Sequence, residues 1–199
     1  MKKWNFKNEL ARKTVHLFSL TFLVIYILVA KFSNKTLALM SLILLLGIFL
    51  TIEFFRLVHR RKIPLLHIFW RAKEKNQLAG NIYFLVGVIV VFAVFDFKIA
   101  VSALLMTTFG DMAAALFGMR FGKHWLKSIP NTAWEGIFAE FLVDFAIGMI
   151  ILKSFPIAII MALVATFVET VFTHADDNLT IPIFSGFAGQ AVVIISKFL

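Results

Sequence analysis

Seven apolar runs, separated by short charged or Pro-containing segments, decide what this chain can fold into. They cover about Leu17 to Ala30, Thr36 to Phe55, Gly80 to Phe95, Ile99 to Gly118, Ile137 to Leu152, Ile157 to Phe172 and Ile181 to Ile195. A bilayer core takes about 20 residues of helix, so several runs must borrow flanking polar residues to cross it. The apolar share of 61% lies well above the roughly 45–50% of a soluble domain. The expectation is therefore an all-α, polytopic transmembrane helix bundle of about seven spans, with residues 1–199 forming a single integral membrane domain. The first run starts after about sixteen residues, lacks a small-residue cleavage site and is followed by further spans. It reads as a span and not as a cleaved signal peptide, so the mature chain is expected to begin near Met1.

Charge orients the bundle. With the N-terminus cytoplasmic, only Lys31, Lys35, Lys98, Lys153 and Lys197 of the 20 basic residues fall on the far side, as the positive-inside rule requires. The net charge of +9 is explained by that bias, so no nucleic-acid partner is expected. The acids divide the same way: Asp96 alone lies outside, while Glu9, Glu53, Glu74, Asp111, Glu135, Glu140, Asp144, Glu169, Asp176 and Asp177 fall in the cytoplasmic loops or helix halves. A polar site at the cytoplasmic face is one reading, and mutual neutralisation of helix ends is the other. Cysteine is absent, which excludes disulfides, thiolate metal sites and thiol nucleophiles and leaves carboxylates, His, hydroxyls and backbone.

The segment Gly110 to Gly136 is the centre of the pattern. Gly110, Ala114, Gly118 and Gly122 recur every four residues, so another helix is expected to approach closely along that face. Asp111 stands at its edge, as a site residue or as an incidental acid in a packing seam. At the N-terminus Glu9, Arg12, Lys13 and His16 share one helical stripe. That stripe presents cations to an anionic ligand, or lets Arg12 and Lys13 reach lipid headgroups. Between Arg56 and Asn81 basic residues interleave with Ile63, Leu66, Ile68, Phe69 and Trp70, the pattern of an interfacial amphipathic helix that anchors or gates. Trp4, Trp70, Trp125 and Trp134 near the cytoplasmic boundaries are belt anchors, and Pro130, Pro156 and Pro182 mark helix boundaries.

In the fifth span Glu140 and Asp144 share a face, with Asp144 about 12 Å along the axis from Gly136 at ~1.5 Å per residue. An acid at that depth needs a partner, a wet cavity or a proton, and its expected role is support of the site residues. In the loop THADDNLTIP, Asp176, Asp177 and Asn178 offer oxygen ligands of the kind Mg²⁺ takes. The same string also suits an Asx turn ahead of a helix starting at Pro182.

These segments together resemble the family of CTP-dependent lipid-alcohol kinases, which includes dolichol kinase, phytol kinase and the CTP-dependent diacylglycerol kinase. The resemblance rests on ELARKTVH at Glu9 to His16, AKEKNQLAGNIYFLVG at Ala72 to Gly87, GDMAAALFGMRFG at Gly110 to Gly122, WEG at Trp134 to Gly136, and ETVFTHADDNLTIP at Glu169 to Pro182. It implies an enzyme that moves the terminal phosphoryl group of CTP, with Mg²⁺, onto a membrane lipid alcohol. It also implies that Asp111 and the loop Asp176, Asp177 and Asn178 belong to the nucleotide and metal site, with Glu135 and Gly136 beside them. One departure stands out: the family often has Lys-Ser or Lys-Thr ahead of the Glu-Gly pair, where this chain has Thr132 and Ala133.

On that basis the cation is expected between Asp111 and Asp176 or Asp177. Arg12, Lys13, Arg120 and Lys123 would neutralise phosphate charge, and Glu135 or Asp177 would receive the hydroxyl proton. Glu9, His16, Gly136 and Asn178 complete the expected nucleotide contacts. The rival readings are a lipid-phosphate cytidylyltransferase and a small multi-pass transporter, the latter disfavoured by the lack of an internal repeat.

Overall fold

The structure, a computed structural model, describes residues 17–59, 77–126, 129, 132–172 and 175–198. Among the described residues it is all-helical, with seven helices and no strands. They are α1 Leu20–Phe32, α2 Lys35–His59, α3 Gly80–Val94, α4 Phe97–Phe121, α5 Trp134–Leu152, α6 Phe155–Val171 and α7 Asp177–Ile195. Lys35–Val58, Phe97–Phe121 and Asp177–Ile195 are long and apolar enough to cross a membrane. Leu44, Ile150, Phe32 and Phe138 are more than three-fifths exposed, the outward apolar surface expected of a membrane protein.

Consecutive helices pack on one another along the chain, so they alternate in direction. At one end the links are tight. Asn34 caps α2 through Oδ1, which accepts from the Leu37 amide at 2.8 Å. Asp96 is held by Gln190 of α7, whose Nε2 donates to Asp96 Oδ2 at 3.0 Å and whose Oε1 accepts the Asp96 amide at 2.9 Å. Lys153 turns the chain out of α5 with φ 53°, a left-handed conformation of the sort that commonly ends helices. The links at the other end, before α3, α5 and α7, are the longer ones.

The interior is built from α3, α4 and α6. Phe84, Leu85, Val88 and Val91 of α3, Ala100, Ala103 and Leu104 of α4, and Met161 and Ala165 of α6 are fully buried. Small residues recur because helices in lipid gain little from apolar burial and associate through close contact. The seam between α4 and α5 shows this at Gly136. A Cβ there would lie 2.6 Å from the Ala114 carbonyl oxygen and 3.3 Å from the Gly118 Cα, so only glycine permits the approach.

Three features differ from the sequence expectation. Helix α2 continues past Phe55 to His59, because Glu53 and Arg56 neutralise each other on its inner face. Helix α4 is interrupted by a π-turn, Met106–Gly110. Helix α7 begins at Asp177 rather than at Pro182, which lies inside it. The proline is tolerated because it sits in the opening turns, where its missing amide deprives only the Asn178 carbonyl of a helical partner. That carbonyl lies instead against Gly87 of α3.

Candidate functional site

Asp111 follows the π-turn of α4 and is 7% exposed. The turn is prepared by two adjacent threonines whose hydroxyls bond back along the helix, Thr107 to Ala103 O at 2.8 Å and Thr108 to Leu104 O at 3.1 Å. Such back-bonding competes with the regular ladder, and single π-turns inside α-helices concentrate at functional positions. The widened turn is also the meeting point of the bundle, touching α5, α6 and α7.

The start of α7 lies near the level of this turn. Helices α4 and α7 run antiparallel, with Ile99 against Gly189, and the same number of residues separates Ile99 from Gly110 as separates Asn178 from Gly189. Asp111 and the segment Asp176 to Asn178 are thus brought to one end of the pair. Helix α4 then runs on to Phe121, about 15 Å beyond Asp111 at ~1.5 Å per residue.

Within that segment the side chains are already engaged with the backbone. Asp176 is the N-cap of α7, its Oδ1 accepting from Asn178 N at 3.2 Å and from Asn178 Nδ2 at 2.7 Å. Asp177 Oδ1 accepts from the same amide at 3.0 Å, and Asn178 is buried. Of the two alternatives left open by the sequence, these contacts show the helix-capping Asx arrangement.

Glu135 stands in the first turn of α5, ahead of the apolar run. Its Oε1 lies 2.7 Å from His124 Nδ1 and 3.2 Å from the His124 amide. These bonds close the link from α4, as do Trp134 N to His124 O at 3.0 Å and Leu126 N to Thr132 O at 2.9 Å. The backbone amide at the helix start, which outweighs the partial desolvation, and then His124 and the loop amides hold the Glu135 carboxyl down to about 2. It is a fixed anion that latches the loop. Arg120 and Lys123 are exposed around this link, and Gly136 lies buried in the α4–α5 seam.

Helix α5 carries two further acids inward, Glu140 at 2% exposure and Asp144 at zero. Asp144 lies against Gly110: a Cβ on that glycine would be 2.4 Å from Asp144 Oδ1 and 3.1 Å from Oδ2. Neither Asp144 oxygen has a hydrogen-bond partner among the described residues, and Glu169 of α6 stands within electrostatic range. Among the described residues no three Asp, Glu or His side chains gather into a ready-made metal cluster. Glu9, Arg12, Lys13 and His16 lie outside the described residues.

One buried ion pair escaped the sequence reading. Glu53 and Arg56 of α2 are both nearly inaccessible. Arg56 Nε donates to Glu53 Oε1 at 2.8 Å, and its Nη2 bonds both Glu53 Oε2 and the Gln77 carbonyl. Their i, i+3 spacing was the available signal.

No family model and no solved structure matches the chain. Among curated proteins it is similar to the CTP-dependent diacylglycerol kinase 1 of Schizosaccharomyces pombe, 30% identical over 66% of each chain. It is also similar to a probable chloroplastic phytol kinase of Triticum aestivum, 28% identical over 56% of this chain and 43% of that one. An uncharacterized protein of Methanocaldococcus jannaschii is 30% identical over 90% of this chain and 91% of its own. The chain spans just under two thirds of the yeast kinase and less than half of the wheat one. With the ordered segments on which the resemblance rests, these likenesses support the family of CTP-dependent lipid-alcohol kinases.

Proposed function

We propose that this protein is a membrane lipid kinase that transfers the terminal phosphoryl group of CTP to the hydroxyl of a polyprenol or other isoprenoid alcohol, or of diacylglycerol. In balanced form, lipid alcohol and CTP give lipid phosphate, CDP and a proton. The observation that carries the reading is the position of Asp111, buried after a π-turn and brought to the end of the bundle where α7 begins with Asp176, Asp177 and Asn178. The likeness to the diacylglycerol and phytol kinases supports it independently.

Seven spans with a cytoplasmic N-terminus would place this end at the cytoplasmic face, and the whole chain would act as one membrane domain. Mg²⁺ fits the donor set, because it is usually held by one or two carboxylates and completes its shell with water and phosphate oxygens. Asp111, with Asp176 or Asp177, would hold it, and bound there it would offset the phosphate charge during transfer. The remaining phosphate charge would meet Arg12, Lys13, Arg120 and Lys123. A carboxyl held as low as Glu135 is a weak base, which leaves Asp177 the better acceptor for the hydroxyl proton and Glu135 the residue that keeps the loop closed. The lipid would enter laterally with its tail among the exposed apolar side chains.

The test is product analysis. Purified protein is incubated with Mg²⁺, either CTP or ATP, and in turn a polyprenol, phytol and diacylglycerol. CDP and lipid phosphate are expected. Release of pyrophosphate with a CDP-lipid would assign a cytidylyltransferase instead, and transfer from ATP alone would tie the Thr132 departure to a change of nucleotide.

A further inference from the structure

The carboxylate that the proposed chemistry leaves unused is the most deeply buried one. Asp144 is wholly inaccessible and neither oxygen has a hydrogen-bond partner among the described residues. An ionised carboxylate in such surroundings costs several kcal/mol unless something positive meets it. Its seat is specific. Both oxygens press on Gly110, the one residue type that leaves room for them, and Gly110 directly precedes Asp111. The two acids come from different helices, α4 and α5, whose close seam is fixed by Gly136 against Ala114 and Gly118. Asp176, by contrast, already spends Oδ1 on capping α7.

We infer that Asp144 is the second carboxylate of a divalent-cation site headed by Asp111, with Asp176 retained mainly as the cap of α7. This deepens the phosphoryl-transfer reading and rests on it for its purpose, while the test needs neither nucleotide nor lipid. Two carboxylates from rigid helices match what Mg²⁺ asks of a protein, the rest of its shell being water and phosphate. A small residue at 110 is then required for the second carboxylate to reach the first.

Mn²⁺ alone is the probe, titrated into purified protein with the loss of its free-ion resonance signal as readout. Wild type should bind Mn²⁺, and Asp144→Asn should bind about tenfold or more weakly. Without Mn²⁺, Asp144→Asn should melt no lower than wild type, because no partner is lost. Gly110→Ala keeps every carboxylate and should weaken Mn²⁺ binding by a comparable factor, because the added methyl takes the place of the Asp144 oxygens. Gln190→Ala, at the opposite end, should bind as wild type does.

Unchanged Mn²⁺ affinity in Asp144→Asn, no binding by wild type, or an Asp144→Asn protein that fails to fold would each overturn the inference. Mn²⁺ binding that behaves as expected in a protein consuming neither CTP nor ATP would leave the cation site standing and remove the kinase reading. Lipid phosphorylation together with unchanged Mn²⁺ affinity in Asp144→Asn would do the reverse.

Discussion

Glu53 and Asp144 are both acids buried in an apolar bundle, and their surroundings are opposite. Glu53 has its charge met within its own helix by Arg56, which also reaches across to the Gln77 carbonyl ahead of α3. Among the described residues Asp144 has no hydrogen bond on its oxygens, and the charge that acts on it is that of another acid, Glu169. The first arrangement is complete without a ligand and ties α2 to the chain entering α3. The second is incomplete, at the point where a π-turn and a glycine have made room for it. Burial alone therefore does not distinguish these two acids; what meets their oxygens does.

The largest effect should come from breaking the satisfied pair. Arg56→Met leaves Glu53 buried without its cation and should cost about 3–5 kcal/mol, read as a fall in melting temperature in detergent. Adding Glu53→Gln should recover most of that loss. Equal melting of Arg56→Met and wild type would mean the pair does not hold α2 in place.

Next comes the seam that carries the unsatisfied acid. Gly136→Ala drives a methyl against the Ala114 carbonyl and should cost about 1–3 kcal/mol, as overpacking does. Turnover should fall with it, since the acids on α4 and α5 are displaced relative to one another. Retained stability and turnover would mean the helices can separate there at no cost.

Asp144→Asn should differ from both. Its stability should equal or exceed that of wild type, because no hydrogen bond among the described residues is lost, while lipid phosphorylation drops. A melting loss as large as that of Arg56→Met would erase the contrast.

The smallest effect belongs to Glu135. Its carboxyl lies lower in the folded protein than in the unfolded chain, so its contribution to stability is complete above about 4.5 and is lost as pH falls through about 2. Glu135→Gln should lower melting slightly at neutral pH, and the gap to wild type should shrink across that acid range. A gap that widens toward low pH would have the wrong sign.

Much of this was legible in the chain. Seven apolar runs leave little choice but helices, and the Gly110, Ala114, Gly118 spacing did mark a close seam, with Gly136 as its other half. The helix ends were less legible because polar residues that pair with each other extend a helix, as Glu53 and Arg56 do for α2. Pro182 read as a start because its cost depends on where the opening turn falls, and that is set by the Asp176 cap. The π-turn left a trace in Thr107 and Thr108, too common a pair to identify it. The depth of Asp144 could be counted from Gly136, but its seat on Gly110 depends on how α5 docks against α4, and spacing along one helix does not encode that.

The most direct test of a phosphoryl-transfer site headed by Asp111 compares wild type with Asp111→Asn in lipid nanodiscs, following label from the terminal phosphate of CTP into lipid. Transfer should occur in wild type and fall by about a hundredfold or more in the variant, with the variant still melting cooperatively in the absence of nucleotide. Equal transfer by the two proteins would contradict the placement of the chemistry at this end of the bundle.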